Sequence, residues 1–303
     1  MIDQEMRECL PNLFILGAAK AGTTTLFEQL RQLPDVYFPF SKEPLFFSQD
    51  RLYEKGLSWY ANTFYKEAKG YPVRGDASPH YLYWGEKAAP RLAQAYDEPP
   101  KMIVLLRDPV NRAYSWYWNM VREGNETLSF EEALACEAER LQTHQGMLEK
   151  QGSMKYGYVR GSRYATQLKP FLDSFPRENF QFILYDELKD DPQTTLQVVL
   201  QFLELENTQR RFEQVQSNPA AMPRSMNLQR WLRRQSTWRE WLKPLIPIKI
   251  RYRIKEKLLQ MNLRESSYPP INPKTATALR EQLASEVRQL QDIIQRDLTR
   301  WLP

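Results

Sequence analysis

A lysine inside a glycine-bounded loop is the first candidate for chemistry in this chain of 303 residues. Lys20 lies between Gly17 and Gly22, and threonines occupy positions 23–25. The apolar run at 13–16 is typical of a buried strand, and apolar residues recur at helical spacing after the threonines. A strand, a tight turn and a helix N-terminus direct backbone N–H groups and the positive end of the helix dipole toward the turn. The loop therefore predicts an anion site, and the expected ligand is a phosphate.

The spacing in this loop differs from that of a nucleotide triphosphatase. A Walker A loop places its lysine directly after the second glycine and follows it with Ser or Thr. Here Lys20 lies inside the loop, and Thr23 follows the second glycine. The lysine therefore reaches a different phosphate oxygen, and the loop alone does not predict an ATP site. A strand–turn–helix junction with incidental glycines is the alternative for the loop taken by itself.

A second apolar run supplies another candidate group. Residues 102–106 are continuously apolar, as expected of an interior strand in a parallel sheet. Arg107 follows the run, and Asp108-Pro109 is typical of an N-cap and a first helical residue. Ser115 lies two turns into that helix, on a face that can return toward the strand end. An arginine and a hydroxyl at the carboxyl end of a strand suit a phosphate monoester.

With these residues the chain resembles the sulfotransferases that use 3′-phosphoadenylyl sulfate (PAPS), in the group of the glycosaminoglycan and heparan sulfate enzymes and their bacterial relatives. Residues 17–25 are similar to that family's 5′-phosphosulfate loop, and residues 107–115 are similar to its 3′-phosphate motif. Residues 41–47, Ser-Lys-Glu-Pro-Leu-Phe-Phe, resemble the segment that carries its catalytic base. The resemblance covers about residues 12–205.

The resemblance implies roles for individual side chains. Lys20 would contact the sulfate and the bridging oxygen of the donor, and Glu43 would take the proton from the acceptor hydroxyl or amine. The implied donor-binding residues are Lys20, Ala21, Gly22, Thr23, Thr24 and Thr25 at the 5′ end, Arg107 and Ser115 at the 3′-phosphate, and Tyr185 near the adenine. PAPS would be the donor substrate and adenosine 3′,5′-bisphosphate (PAP) the product.

The chemistry of sulfuryl transfer explains why these residue types are needed. By analogy with phosphoryl transfer, in-line displacement depends mainly on positioning and electrostatics. The leaving phosphate gains charge where a lysine and helix N–H groups can stabilise it, and Glu43 can serve as the base for the acceptor. The sulfuryl group carries less charge than a phosphoryl group, so no metal is required in principle. Two His and two Cys residues form no metal-binding pattern in the sequence.

Two features depart from the family pattern. The K-G-R loop that closes over the donor in the animal enzymes is not visible near the C-terminus, where Pro223-Arg224-Ser225 is only a faint candidate. Where the family often has E-K-[ST]-P, this chain has Asp-Ala-Ser-Pro at 76–79, so Ala77 replaces a lysine that assists near the acceptor. Either Lys42 or Arg74 substitutes for it, or the acceptor is not the same polyanion.

The predicted fold is α/β, with a P-loop-like central parallel sheet flanked by helices and a helical C-terminal extension. The sequence predicts a strand over 180–185 and a helix from Pro192 to Leu205. After Asn272-Pro273, apolar residues at three- and four-residue spacing predict one long amphipathic helix that includes Leu298.

We expect a single sulfotransferase domain over 1–303, with the donor site in an α/β core at 12–205 and a basic, aromatic-rich, helical extension at 206–303. No run of eighteen apolar residues predicts a membrane span. The N-terminal residues lack a basic region followed by an apolar one, which argues against a signal peptide. Two cysteines make no disulfide framework, and we expect a cytoplasmic protein.

The segment 210–260 is strongly basic, with thirteen Lys and Arg residues against three Glu and with interleaved Trp and Ile. A carbohydrate or other polyanionic acceptor could lie along it, with tryptophans stacking on sugar rings. An anionic membrane surface could instead bind residues 230–257 and deliver a glycolipid acceptor. The third interpretation is a solvated surface. Nucleic acid is not an expected partner, because no recognition motif accompanies the charge.

The sequence thus predicts a PAPS-dependent sulfotransferase that acts on a hydroxyl or amine, with a carbohydrate or glycolipid acceptor favoured. Two other classes stay open. One is an ATP-dependent kinase built on the same type of loop, which would need magnesium. The other is a non-catalytic protein that binds polyanions or a membrane surface.

Overall fold

A central parallel sheet organises the molecule. The structure is a computed structural model and describes residues 4–143, 152–205, 221–223, 263–265 and 268–303. The sheet has the strand order β2-β3-β1-β4-β5, and every neighbouring pair is parallel. Its strands are β1 (Leu13–Gly17), β2 (Val36–Tyr37), β3 (Val73–Asp76), β4 (Lys101–Leu106) and β5 (Phe180–Leu184). The predicted fold class is confirmed.

Helices flank this sheet. In chain order they are α1 (Gln4–Cys9), α2 (Thr23–Leu30), α3 (Asp50–Tyr53), α4 (Leu57–Tyr60), α5 (His80–Tyr83), α6 (Gly85–Ala95), α7 (Pro109–Arg122), α8 (Phe130–Ala135), α9 (Glu137–Thr143), α10 (Tyr164–Ser174), α11 (Tyr185–Asp190), α12 (Pro192–Phe202) and α13 (Pro273–Ile294). A short antiparallel pair, β6 (Ala221–Pro223) and β7 (Leu263–Glu265), lies outside the main sheet.

The strand order reverses between β1 and β4. The chain runs from β1 to β2 and β3 on one side of the sheet, and then crosses to β4 and β5 on the other side. The loops that follow β1 and β4 are joined by a backbone hydrogen bond in which Ala18 N donates to Leu105 O at 2.7 Å. Ligands of open α/β sheets bind at such a reversal, outside the carboxyl ends of the strands.

The helix that follows β4 begins as the sequence predicts. Pro109 is its first residue, and the side chain of Asp108 caps it by accepting a hydrogen bond from Asn111 N at 2.8 Å. Arg280 from α13 forms an ion pair with Asp108 at 3.0 Å. The buried guanidinium of Arg112 donates to the carbonyl oxygens of residues 157 and 158, which ties α7 to the following segment. The start of α7 is therefore held in place from both sides.

Two predicted helix ends are wrong. The C-terminal helix ends at Ile294 and does not include Leu298, because Gln295 adopts a left-handed conformation (φ 55°) that stops the helix. The helix that begins at Pro192 ends at Phe202, and Glu204 is also left-handed (φ 58°). The apolar stripe of α13 does pack against the core, as predicted, through Leu279, Leu283, Val287, Leu290 and Ile294.

Candidate active site

A cavity of about 360 Å³ opens at the strand-order reversal. The loop after β1, the first turn of α2, the inner face of α7 and the segment 42–43 line it. The predicted site residues among its lining are Lys20, Gly22, Thr23, Thr24, Thr25, Glu43, Arg107, Ser115 and Tyr185. Segments that are far apart in the sequence therefore meet in one place.

Ala21 has a different position from the other predicted residues. Its side chain is fully buried in the core, and its N–H donates to Ala18 O at 3.1 Å within the turn. Ala21 thus shapes the loop from behind, while its neighbours form the wall of the cavity.

The first turn of α2 forms one wall of the cavity. Gly22 is the N-cap residue and has φ 95°, a left-handed conformation that favours glycine. A Cβ atom there would lie 3.0 Å from Leu188 Cδ2 and 3.2 Å from Tyr185 Cδ2. Gly22 has no side chain to cap the helix, so the positive end of the α2 dipole favours an anion in the cavity.

Lys20 extends from this loop toward α7. Its Nζ atom donates to Asn119 Oδ1 at 3.4 Å, and Arg122 donates to the same oxygen at 2.6 Å. Burial, together with the positive charges of Arg122 and Arg107, lowers the pKa of Lys20 to about 8. A half-buried ammonium that is repelled by two guanidinium groups is an unfavourable arrangement that a bound anion would relieve.

Arg107 lies at the carboxyl end of β4, where the sequence predicts it. Its guanidinium donates to Lys20 O at 3.2 Å and lies over the ring of Tyr185, 4.6 Å from the ring centroid. Its carbonyl oxygen accepts a hydrogen bond from Tyr164 at 3.0 Å. These contacts link the two strand-end loops and orient the arginine beside the cavity.

Glu43 enters the cavity on a loop between β2 and α3. Its Oε1 atom lies 3.5 Å from Lys42 Nζ, and Lys42 in turn donates to Thr24 Oγ1 at 2.8 Å. Burial lowers the pKa of Lys42, while Glu43 opposes that shift. The Lys42 contact therefore joins the carboxylate to the helix that carries the threonines.

Comparison with known proteins identifies the family of this chain. A family model described as the sulfotransferase domain matches residues 10–256, which is most of the chain. The chain belongs to the sulfotransferase family.

Named relatives of this sulfotransferase include enzymes of heparan sulfate. Heparan sulfate glucosamine 3-O-sulfotransferase 3B1 of Mus musculus is 34% identical over 196 residues, which cover 65% of this chain and 46% of that protein. The bifunctional heparan sulfate N-deacetylase/N-sulfotransferase 1 of Caenorhabditis briggsae is 28% identical over 206 residues, covering 66% of this chain and 23% of that protein. The chain spans about half or less of the length of these curated relatives.

A solved structure extends the similarity to almost the whole sulfotransferase chain. The crystal structure of a sulfotransferase from Alicyclobacillus acidocaldarius has 27% sequence identity and a TM-score of 0.69, and it covers 96% of this chain and 98% of its own. The predicted family is therefore confirmed by sequence and by fold.

The sequence left open what stands in for the lysine that Ala77 replaces. Ala77 is fully buried. Arg74 donates to the carbonyl oxygens of Leu10 and Tyr71 and lines a different pocket of the sulfotransferase, together with residues of its N-terminal segment. Lys42 lines the cavity beside Glu43. Of the two candidates, only Lys42 lines the cavity.

Sequence reasoning missed several residues of the site. Asn119 and Arg122 follow Ser115 by four and seven positions, so helical spacing alone could have placed them on the same face of α7. His80 also lines the cavity, and burial lowers its pKa, which keeps the imidazole neutral near pH 7. No local sequence pattern marks this histidine as a site residue; only the preceding Pro79 stands out.

Three further predictions concern features that the structure describes only in part. The basic segment 210–260, with its membrane-binding stretch 230–257, lies outside them apart from 221–223. Within the described ranges, no helix has both the length and the apolar character to cross a membrane. The same ranges contain no group of three His, Cys, Asp or Glu side chains arranged to hold a metal ion.

Proposed function

We propose that this sulfotransferase moves a sulfuryl group from PAPS to a hydroxyl or amine of an acceptor, with a carbohydrate or glycolipid as the acceptor class. One observation carries the proposal: Lys20, Arg107 and the α2 N-terminus share a cavity with the carboxylate of Glu43. The cationic groups suit a donor with phosphates at both ends, and the carboxylate suits proton removal from a nucleophile.

In this proposal the donor spans the two strand-end loops. Lys20 and the loop through Gly22 to Thr25 hold the 5′-phosphosulfate, with Ala21 supporting the loop from the core. Arg107 and Ser115 bind the 3′-phosphate, and Tyr185 lies near the adenine. The cavity volume of about 360 Å³ is within the range of small-molecule sites.

The reaction is a single displacement at sulfur. The acceptor oxygen or nitrogen forms a bond to sulfur while the bond from sulfur to the bridging phosphate oxygen breaks, and Glu43 receives the acceptor proton. Charge develops on the bridging oxygen of the departing PAP, where the ammonium of Lys20 and the helix N–H groups stabilise it. Lys42, in place of the lysine lost at Ala77, keeps a positive charge beside Glu43 and the acceptor.

The acceptor class rests on the relatives. Those named above act on heparan sulfate, a polysaccharide, by their names. A sugar hydroxyl or amine is a nucleophile that needs a base, which fits the position of Glu43 in the cavity.

The test is transfer of a ³⁵S-labelled sulfuryl group from PAPS to a panel of polysaccharides, glycolipids and small phenols, in buffer with EDTA. The parent protein should label a carbohydrate acceptor. Glu43→Gln should lower the transfer rate by about 100-fold or more, the scale of general-base catalysis, and leave PAP affinity within about twofold. Glu28→Gln is the matched control. Like Glu43, Glu28 raises the pKa of Lys42, but it lies on α2 and forms an ion pair with Arg31.

Two outcomes would contradict the proposal in different ways. Equal turnover by Glu43→Gln and the parent would reject Glu43 as the base. Magnesium-dependent ATP turnover without transfer from PAPS would instead place the chain among kinases.

A further inference from the structure

A buried carboxylate lies behind the loop that carries Glu43. Asp76 is the last residue of β3 and has no exposed surface. Its Oδ1 atom accepts a hydrogen bond from Ser78 Oγ at 2.6 Å, and its Oδ2 atom accepts from Tyr60 at 2.6 Å and Tyr81 at 2.8 Å. We call Asp76, Ser78, Tyr60 and Tyr81 the Asp76 cluster. Its members do not line the cavity, so they would not touch the donor or the acceptor there.

The carboxylate fixes the direction of the hydrogen bonds in this cluster. Burial raises the pKa of Asp76 to about 6, and the three hydroxyl donors oppose that rise, so the group is mainly ionised at pH 7. An ionised carboxylate only accepts, which commits the single proton of Ser78 Oγ to Asp76. The lone pairs of Ser78 are then available to accept, and Leu45 N donates to them at 3.2 Å.

Leu45 is the residue that needs this hydrogen bond. It lies two positions after Glu43 and has φ 61°, a left-handed conformation that is unusual for a residue with a branched side chain. Such a conformation persists only where the surroundings hold it. The bond from Leu45 N to Ser78 Oγ holds the backbone at this point, directly beside the segment that presents Glu43.

The next two residues of the loop are anchored to the same cluster. Phe46 stacks on Tyr60, with ring centroids 4.4 Å apart and an interplanar angle of 15°. Phe47 meets the ring of Tyr81 edge-on at 5.9 Å. Phe47 also meets the ring of Tyr60 edge-on at 5.5 Å. Both phenylalanines are fully buried. Residues 45, 46 and 47 therefore each contact at least one member of the Asp76 cluster.

We infer that Asp76 and Ser78 are positioning residues, which fix the backbone at Leu45 so that the carboxylate of Glu43 is held at the acceptor side of the cavity. The inference rests on the proposed role of Glu43 as the base. Its physical basis is that displacement at sulfur requires the acceptor, the base and the donor to be aligned, and a shift of about 1 Å can lower a rate by about 100-fold.

The test compares Ser78→Ala with Tyr65→Phe. Ser78→Ala removes the oxygen that joins Asp76 to Leu45. Tyr65→Phe is the matched control, since it removes another fully buried hydroxyl nearby, one that donates to Gly75 O at 3.0 Å. This hydroxyl touches the cluster only through Tyr60, whose hydroxyl lies 3.4 Å away and is committed to Asp76, and it has no bond to Leu45 or Ser78. Ser78→Thr keeps the hydroxyl and should restore parent behaviour.

Two readouts are needed, and one of them does not depend on activity. In hydrogen exchange measured by mass spectrometry, Ser78→Ala should speed exchange in the peptide that covers 43–48 by about tenfold, the effect of losing one buried hydrogen bond. The peptide that covers 23–30 should not change. In the transfer assay, Ser78→Ala should lower kcat by about 10- to 100-fold, with PAP affinity within about twofold of the parent. Tyr65→Phe should change neither readout.

Parent-like exchange in peptide 43–48 of Ser78→Ala would overturn the inference, as would equal losses of kcat in Ser78→Ala and Tyr65→Phe. If Ser78→Ala does not fold, Ser78→Cys has nearly the same size but is a weak acceptor, and the same outcomes apply to it. If the parent transfers no sulfuryl group, the proposed function fails, whereas the exchange readout still decides whether Ser78 holds the loop.

Discussion

Lys20 and Asn119 are 99 positions apart in the sequence, and their side chains meet at 3.4 Å between Nζ and Oδ1. The contact joins the loop after β1 to the inner face of α7, and Arg122 donates to the same amide oxygen. A lysine held in this way is half-buried, lines the cavity and lies close to other positive charges. Its position therefore suits contact with a bound anion.

The first prediction concerns the pH dependence of donor binding. With a pKa of about 8, Lys20 loses its charge as the pH rises through 8 in the free protein. A bound phosphate favours the ammonium and raises its pKa in the complex, so PAP binding takes up a proton above pH 8 and weakens by up to about tenfold per pH unit. Calorimetry at pH 8.5 in two buffers of different ionisation enthalpy measures this uptake. Lys20→Met should show none, and a parent without proton uptake would contradict the prediction.

The second prediction compares two glycines. Gly22 (φ 95°) and Gly70 (φ 89°) both have left-handed backbone, so Ala at either position costs about 1 kcal/mol of stability. Only at Gly22 would the new Cβ press on Tyr185 and Leu188, whereas nothing lies within 4 Å of it at Gly70. Gly22→Ala should weaken PAP binding by at least about tenfold, and Gly70→Ala should not change it. Thermal unfolding measures the loss of stability that both variants share, and calorimetry measures the difference in PAP affinity between them. Equal PAP affinities in the two variants would argue against a donor at Gly22.

The third prediction concerns Arg107. Arg107→Ala removes a charged hydrogen-bond donor, and PAP binding should weaken by about 1.5–3 kcal/mol. Arg31→Ala serves as the control, because Arg31 is a surface arginine paired with Glu28 at the end of α2. Calorimetry on both variants distinguishes a local contact from a general loss of positive charge. If both variants bind PAP as the parent does, the assignment of Arg107 is wrong.

The fourth prediction asks which cation replaces the lysine lost at Ala77. Lys42→Met removes the bond to Thr24 and the charge beside Glu43, and kcat should fall by about 10-fold or more. Arg74→Met removes bonds to two carbonyl oxygens away from the cavity, so it should lower the unfolding temperature and leave kcat unchanged. Steady-state rates and thermal unfolding of both variants decide between them. A larger loss of kcat in Arg74→Met would reverse the assignment.

Local sequence patterns were sufficient to predict the strands and the helix start that position the site. The continuous apolar runs at 13–16 and 102–106 became the central strands β1 and β4, and Asp108-Pro109 began α7, because burial and capping act over a few residues. Because β1 and β4 are neighbours at the point where the strand order reverses, the loops that follow them place Lys20 and Arg107 in the same cavity.

Long-range contacts account for what the sequence did not predict. Nothing near Asn119 indicates that its oxygen will meet Lys20, and nothing near Asp76 indicates a carboxylate shared by three hydroxyls. The helix to Leu298 was wrong because the apolar spacing continues past Gln295, where the backbone turns. The division into a core at 12–205 and an extension stays a prediction.

The central claim is that one cavity holds a donor by phosphates at both ends, and PAP binding without metal tests it most directly. In calorimetry with EDTA, PAP should bind the parent about 10- to 100-fold more tightly than adenosine 5′-monophosphate, because only PAP offers a 3′-phosphate to Arg107 and Ser115. Arg107→Ala should remove most of that difference. Equal affinity for the two nucleotides in the parent, or binding that requires magnesium and prefers ATP, would contradict the account.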